Sequence, residues 1–154
     1  MGKKVQAKIE DIGFDVYNPF YPPGIEREDI KNQDNDNVMK GTEGGAWDVT
    51  DLERSIEIVD MDLEAVRKSD AVVCIFPKGR TVGISCEMFF ASYNLRMPVF
   101  TLCPEDMVGH PWIQTLSDSV HTDIEDLYVL LEVLSGTRDL GELIEAEDIA
   151  PTTS

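Results

Sequence analysis

Residues 69–104, SDAVVCIFPKGRTVGISCEMFFASYNLRMPVFTLCP, constrain the fold more than any other stretch, because they read as strand, loop, helix and strand in immediate succession. The run 71–76 is short, rich in β-branched residues and ended by Pro77 and Gly79, which marks a buried strand feeding a loop. Gly83 then opens a helix. Within it Ile84, Met88, Ala91 and Leu95 line one face, while Cys86, Phe89, Phe90 and Tyr93 cover much of the rest, the pattern of a helix packed on several sides. Residues 99–102 form the next strand. A helix linking two adjacent strands makes them parallel, and the expected class is α/β.

Inside this unit Glu87 is the only charged side chain between Arg80 and Arg96. Read as a first-turn acid just after a strand-to-helix loop, it lies at the carboxyl edge of a parallel sheet, where such folds place ligands. The helix N-terminus offers free N–H groups and partial positive charge, so Glu87 is expected to stay ionised among apolar neighbours, as a nucleophile requires. A glutamate that merely stabilises its own helix is the competing reading, and both stand at this level.

With 154 residues, 42% of them hydrophobic, the chain supports one domain with a proper core; residues 1–136 are read as that domain and 137–154 as an acidic tail. Thirteen basic residues against thirty acidic ones leave a formal charge of -17, which repels nucleic-acid polymers and anionic membranes. Small nucleotides remain admissible, since a local site can oppose the global field. Cys74, Cys86 and Cys103 are odd in number and embedded in apolar segments, as expected of reduced core residues in a cytoplasmic protein. His110 and His121 stand without a ligand cluster, so no metal site is expected. No leader segment is expected, and the sequence contains no run of about 20 apolar residues, so secretion or membrane spanning has no support.

Taken in order, Val5, Ile9 and Ile12 recur at helical spacing and Gly13 ends that helix. Residues 14–17 are expected to form a short strand, broken at Asn18-Pro19 and followed by an aromatic, proline-rich loop suited to a pocket wall or a rigid turn. Residues 31–47 are polar, glycine-rich and without period. A capping box at Thr50 opens an amphipathic helix in which Leu52, Ile56, Val59, Leu63 and Val66 form the stripe and Lys68 the end. Asp60 and Asp62 fall on opposite borders of that stripe, and periodicity does not choose between them. After the central unit come a turn, a short helical segment at His110-Pro111-Trp112, and a short strand over 119–121. A second capping box, at Thr122, opens a helix that stops at Ser135-Gly136.

The segments VYNPFY (16–21), DLEAVRKSD (62–70), AVVCIF, TVGISCE (81–87) and MPV (97–99) together resemble the nucleoside 2-deoxyribosyltransferase family. The resemblance covers most of the first 103 residues in order, and its specific part is the block from Asp62 to Glu87. It implies a flavodoxin-like, doubly wound parallel sheet. The family begins with a strand and a small-residue loop, whereas this chain begins in the helix that follows them, so the expected sheet lacks the family's first strand. The implied activity is cleavage of the N-glycosidic bond of a 2'-deoxynucleoside and transfer of the sugar to another base.

Residue by residue, Glu87 falls on the family's nucleophile and Asp62 on its active-site aspartate, which would handle or position the proton of the leaving base. Gly83, Asn18, Phe20 and Trp112 fall among substrate-binding positions, Trp112 as a base-stacking ring or an interface anchor. Thr81 stands where many members carry an acid and where related 5'-monophosphate N-glycosidases carry a hydroxyl near phosphate. Hydrolysis of a deoxynucleoside 5'-monophosphate is therefore the alternative, and a silent nucleotide-binding or assembly subunit is a third. The implied partners are a deoxynucleoside or deoxynucleotide and a free base, with no cofactor and with homo-oligomers that complete each pocket from a neighbour.

Overall fold

The structure, a computed structural model, describes residues 2–19, 52–77 and 82–139; Phe20, Thr81, the stretch 31–47, the Thr50 capping box and the acidic tail beyond 139 lie outside them. The chain forms two compact units, one of Tyr17–Thr122 and one of Met1–Val16 with Asp123–Ser154.

The Tyr17–Thr122 unit is an α/β layer built on a parallel sheet. Its described elements are α2 (Leu52–Lys68), the second described helix in chain order, then β1 (Val72–Ile75), α3 (Val82–Phe89), β2 (Val99–Leu102), a 3-10 turn (Glu105–Met107), α4 (Pro111–Leu116) and β3 (Ser119–His121). The strand order is β1-β2-β3, with Val72 opposite Val99 and Phe100 opposite Ser119. Each strand is short and the pairings between them are parallel, as strands joined through helices must be. The ladder continues past the strand ends, where Phe76 N–H donates to the Leu102 carbonyl and Cys103 N–H to that of His121, both at 2.9 Å.

The core of this unit gathers Val66 of α2, Cys74 and Phe76 of and beside β1, Met88 of α3, Val99 of β2 and Ile113 and Leu116 of α4. Burying each large side chain contributes roughly 1.5–3 kcal/mol, so these few residues hold the helices on the sheet. Thr101 is the buried polar residue among them, and its hydroxyl is satisfied by Ser117 Oγ at 2.8 Å. Asp118 adds a side-chain clamp, its Oδ2 accepting from Val99 N–H at 2.8 Å.

The other unit pairs two helices. In α1 (Gly2–Ile12) the expected residues Val5, Ile9 and Ile12 are buried, and Gly13 follows with φ 113°, a value that favours glycine. This helix packs on α5 (Ile124–Ser135), which buries Leu127, Tyr128 and Leu131. The cap of α5 is Asp123, not the expected Thr122: Asp123 Oδ1 accepts from Glu125 N–H at 3.0 Å. Gly136 ends the helix at φ 76°, its N–H reaching the carbonyls of Glu132 and Val133.

Three expectations are corrected here. Residues 14–17 form no strand; no strand among the described residues lies beside them, and Phe14 N–H instead returns to the Ile9 carbonyl at 3.3 Å. An extended segment gains regular hydrogen bonds only from a partner, which local sequence cannot supply. The stripe on α2 packs only toward its C-terminal end, with Val66 buried but Ile56 and Val59 exposed. Finally, the helix after Gly83 is not enclosed on several sides: Met88 and Ala91 are buried, while Cys86, Phe89 and Tyr93 are exposed. Cys86 is thus no core residue, although Cys74 and Cys103 are buried as expected. Among the described residues no helix is long and apolar enough to cross a membrane.

Candidate functional site

Glu87 is half-buried on α3, which packs against both β1 and α2. The helix begins at Val82, so Glu87 lies in its second turn, not the first, and the first turn contains no acid. Side chains on a helix lean toward its N-terminus, and Glu87 follows this rule: a Cβ added at Gly83 would stand 3.9 Å from its Oε1. Gly83 is exposed, so the absence of a side chain there leaves the carboxylate approachable from above its own helix.

The helix terminus does not hold the Glu87 carboxyl below its ordinary range. Burial, followed by the negative charge of Asp62, pushes its pKa above the usual glutamate value. A second-turn glutamate is removed from the free N–H groups that would have favoured its charge, so loss of water dominates. Asp62, half-buried on α2, is likewise raised, by burial. Asp60, its rival in the sequence, is exposed. The two carboxyl groups therefore form one electrostatic unit, in which the charge of Asp62 makes Glu87 harder to ionise and more basic.

Two further residues join this unit without having been expected. Tyr17, just past the turn that follows α1, has its phenol pKa raised by burial and then by the charges of Asp62 and Glu87. Cys74 on β1 is pushed up to about 12, by burial first and the charge of Glu87 second, which makes it an inert thiol. Tyr17 was legible only as part of the VYNPFY segment. Nothing local to that segment reveals that its phenol lies within the field of acids from two distant helices.

The other expected residues are placed as follows. Asn18 is half-buried beside Tyr17 and has an interaction of its own. Trp112, on α4, is exposed and meets Phe89 edge-on, with ring centroids 6.2 Å apart. Among the described residues no group of three or more His, Cys, Asp or Glu side chains is arranged to hold a metal.

A raised carboxyl pKa has a consequence for stability. Such a group is favoured by protonation in the folded state, so its penalty is absent below the ordinary carboxylate range and grows as pH climbs through the raised value. Glu87→Gln is therefore expected to melt higher than the parent protein at neutral pH, by about 2–4 °C for each kcal/mol relieved, and to lose this advantage in acid. Melting curves across pH for the two proteins check this, and equal curves would show that Glu87 carries no folding penalty.

No family model, curated protein or solved structure matches this chain.

Proposed function

We propose that this chain is a nucleoside 2-deoxyribosyltransferase-like enzyme of flavodoxin-like fold, cleaving the N-glycosidic bond of a 2'-deoxynucleoside. The observation that carries the reading is the half-buried pair of Glu87 and Asp62, coupled through charge on two packed helices. Coupled carboxyls of this kind suit glycosidic chemistry because one must attack carbon while the other manages a proton.

In the proposed cycle an oxygen of ionised Glu87 bonds to C1' as the bond from C1' to the base nitrogen breaks, its electron pair leaving with the base. Asp62 supplies or orients the proton that neutralises the departing base. The sugar is then held as an ester of Glu87 until a nitrogen of a second base attacks C1', its proton returning to the pair and Glu87 leaving as carboxylate. Burial favours this design, since a carboxylate stripped of water is a stronger nucleophile.

The substrates are a deoxynucleoside and a free base, and no cofactor enters any step. Thr81, six residues before Glu87, keeps a second reading in view: hydrolysis of a deoxynucleoside 5'-monophosphate, with water taking the place of the acceptor base. Incubation with thymidine plus adenine, and separately with dTMP, followed by chromatography, tests both. Deoxyadenosine from the first mixture is the expected result. Thymine from dTMP alone would replace transfer by hydrolysis, and silence in both would leave a nucleotide-binding or assembly subunit.

A further inference from the structure

Where α3 ends, an arginine occupies a place that suits glycine. The helix passes into a π-helical turn over Phe90–Asn94, closed by Leu95 N–H donating to the Phe90 carbonyl at 3.1 Å. Met97 N–H then returns to the Ala91 carbonyl at 3.0 Å, and Arg96, between them, takes φ 54°, the one positive φ outside glycine among the described residues. A helix end of this geometry is ordinarily glycine, as Gly136 is after α5, because a side chain there is strained. The backbone conformation does not call for arginine, so what Arg96 contributes lies in its side chain.

That side chain is exposed, with the guanidinium over the Tyr93 ring, 5.3 Å from its centroid. Tyr93 stacks on Phe89 with centroids 5.1 Å apart, and Trp112 of α4 closes edge-on against Phe89. Tyr93 is 59% exposed, Phe89 38% and Trp112 60%. A row of rings thus lies open to solvent with one cation at its end. Elsewhere on this unit Arg67 and Lys68 both reach Glu64, at 3.4 and 3.3 Å, whereas Arg96 pairs with no carboxylate among the described residues. The stretches 82–99 and 108–117, which carry these four residues, contain one of the chain's thirty acids, Glu87. It is half-buried and lies about 200° round the helix from Phe89.

Chemistry identifies what such a place can receive. An arginine offers a planar fork of N–H donors that matches a carboxylate through two parallel hydrogen bonds, and a ring beside it shields part of that pair from water. Exposed aromatic faces take a further flat ring by stacking. Together they describe a ligand in which a flat ring carries an anionic group. Charge selects the anion. A carboxylate brings one negative charge to match one guanidinium, while a phosphate monoester brings roughly 1.5 to 2 into the field of a chain at -17.

We propose that Arg96, Tyr93, Phe89 and Trp112 form a binding site for a small aromatic carboxylate. It lies on the other side of α3 from Glu87 and stands on ring geometry and charge, not on the glycosidic chemistry.

Isothermal titration calorimetry of the full chain with 2-naphthoate tests this. The expected result is a Kd of about 1 mM or tighter. Three controls are expected to bind at least about tenfold more weakly: 2-naphthylmethanol, which has the ring without the charge, acetate, which has the charge without the ring, and AMP, whose ring carries a phosphate. Arg96→Gly should weaken 2-naphthoate at least about tenfold while melting no lower than the parent, because glycine accepts φ 54° without strain. Arg96→Lys keeps the charge without the planar fork and should weaken it at least about threefold. No binding of 2-naphthoate at about 10 mM, equal affinity for 2-naphthylmethanol or acetate, or tighter binding of AMP would each overturn the proposal. So would a parental Kd in Arg96→Lys, which decides the matter even if the glycine variant folds poorly. A ligand held at Glu87 instead would keep its affinity in both Arg96 variants, so failure here and failure of the enzymatic reading are told apart.

Discussion

Glu87→Gln is expected to reduce turnover of a deoxynucleoside by at least about a thousandfold, the order seen when an enzyme loses its nucleophile. The substitution preserves size and hydrogen-bonding length but leaves a neutral amide where C1' needs an anionic oxygen. Substrate affinity should change far less, because the carboxylate contributes mainly as the glycosidic bond breaks. The same variant is expected to be more stable than the parent at neutral pH, since the buried charge is what folding disfavours. Loss of activity together with gained stability separates a chemical role from a structural one. Parental turnover in Glu87→Gln would remove it from the mechanism. A fall in both activity and melting temperature would make it a structural residue of α3.

Asp62→Asn is expected to lower turnover by about a hundredfold or more and also to reshape the pH profile. The productive form of the pair holds one proton, shared between two carboxyl groups whose titration belongs to both. Activity should rise as Glu87 ionises and fall as the pair loses its last proton, giving a bell. The charge of Asp62 is one of the two causes that raise Glu87. That charge exists only once Asp62 has lost its proton, so the acid limb, crossed with the proton in place, should not move down, while the alkaline limb, which needs the proton of Asp62, should vanish. Measuring kcat/KM across pH in the two proteins reads both limbs. An alkaline limb that persists in Asp62→Asn would mean that Asp62 does not hold the proton, and an unchanged rate would take Asp62 out of the site.

Much of this arrangement was legible in the chain. Strands at 99–102 and 119–121 and the helix end at Lys68 were readable because each is marked locally, by β-branched runs, turn residues or the end of a period. Glu87 and Asp62 were reached from an isolated acid among apolar residues and from resemblance, not from geometry. Three features escaped. Residues 14–17 have strand-like composition but no partner among the described residues. The period of α3 gave its buried seam, Met88 and Ala91, but treated Phe89 and Tyr93 as packed when they are exposed. The helix terminus was expected to favour the charge on Glu87, yet its pKa is raised, because one turn of helix separates a residue served by free N–H groups from one that is not.

By itself the sequence determined which segments become helices and strands, where α1 and α5 stop at Gly13 and Gly136, and that a single acid occupies the central helix. Those outcomes follow from local torsional preference, hydrogen bonding between near neighbours and the spacing of apolar residues. Only the tertiary structure decided that Asp62 and Glu87 act on the ionisation of Tyr17 and Glu87 on that of Cys74, that Asp62 and not Asp60 is half-buried, and that an aromatic face is left in solvent. Each of these depends on which surfaces are removed from water when distant elements pack, and burial is what raises the pKa of an otherwise ordinary carboxyl group.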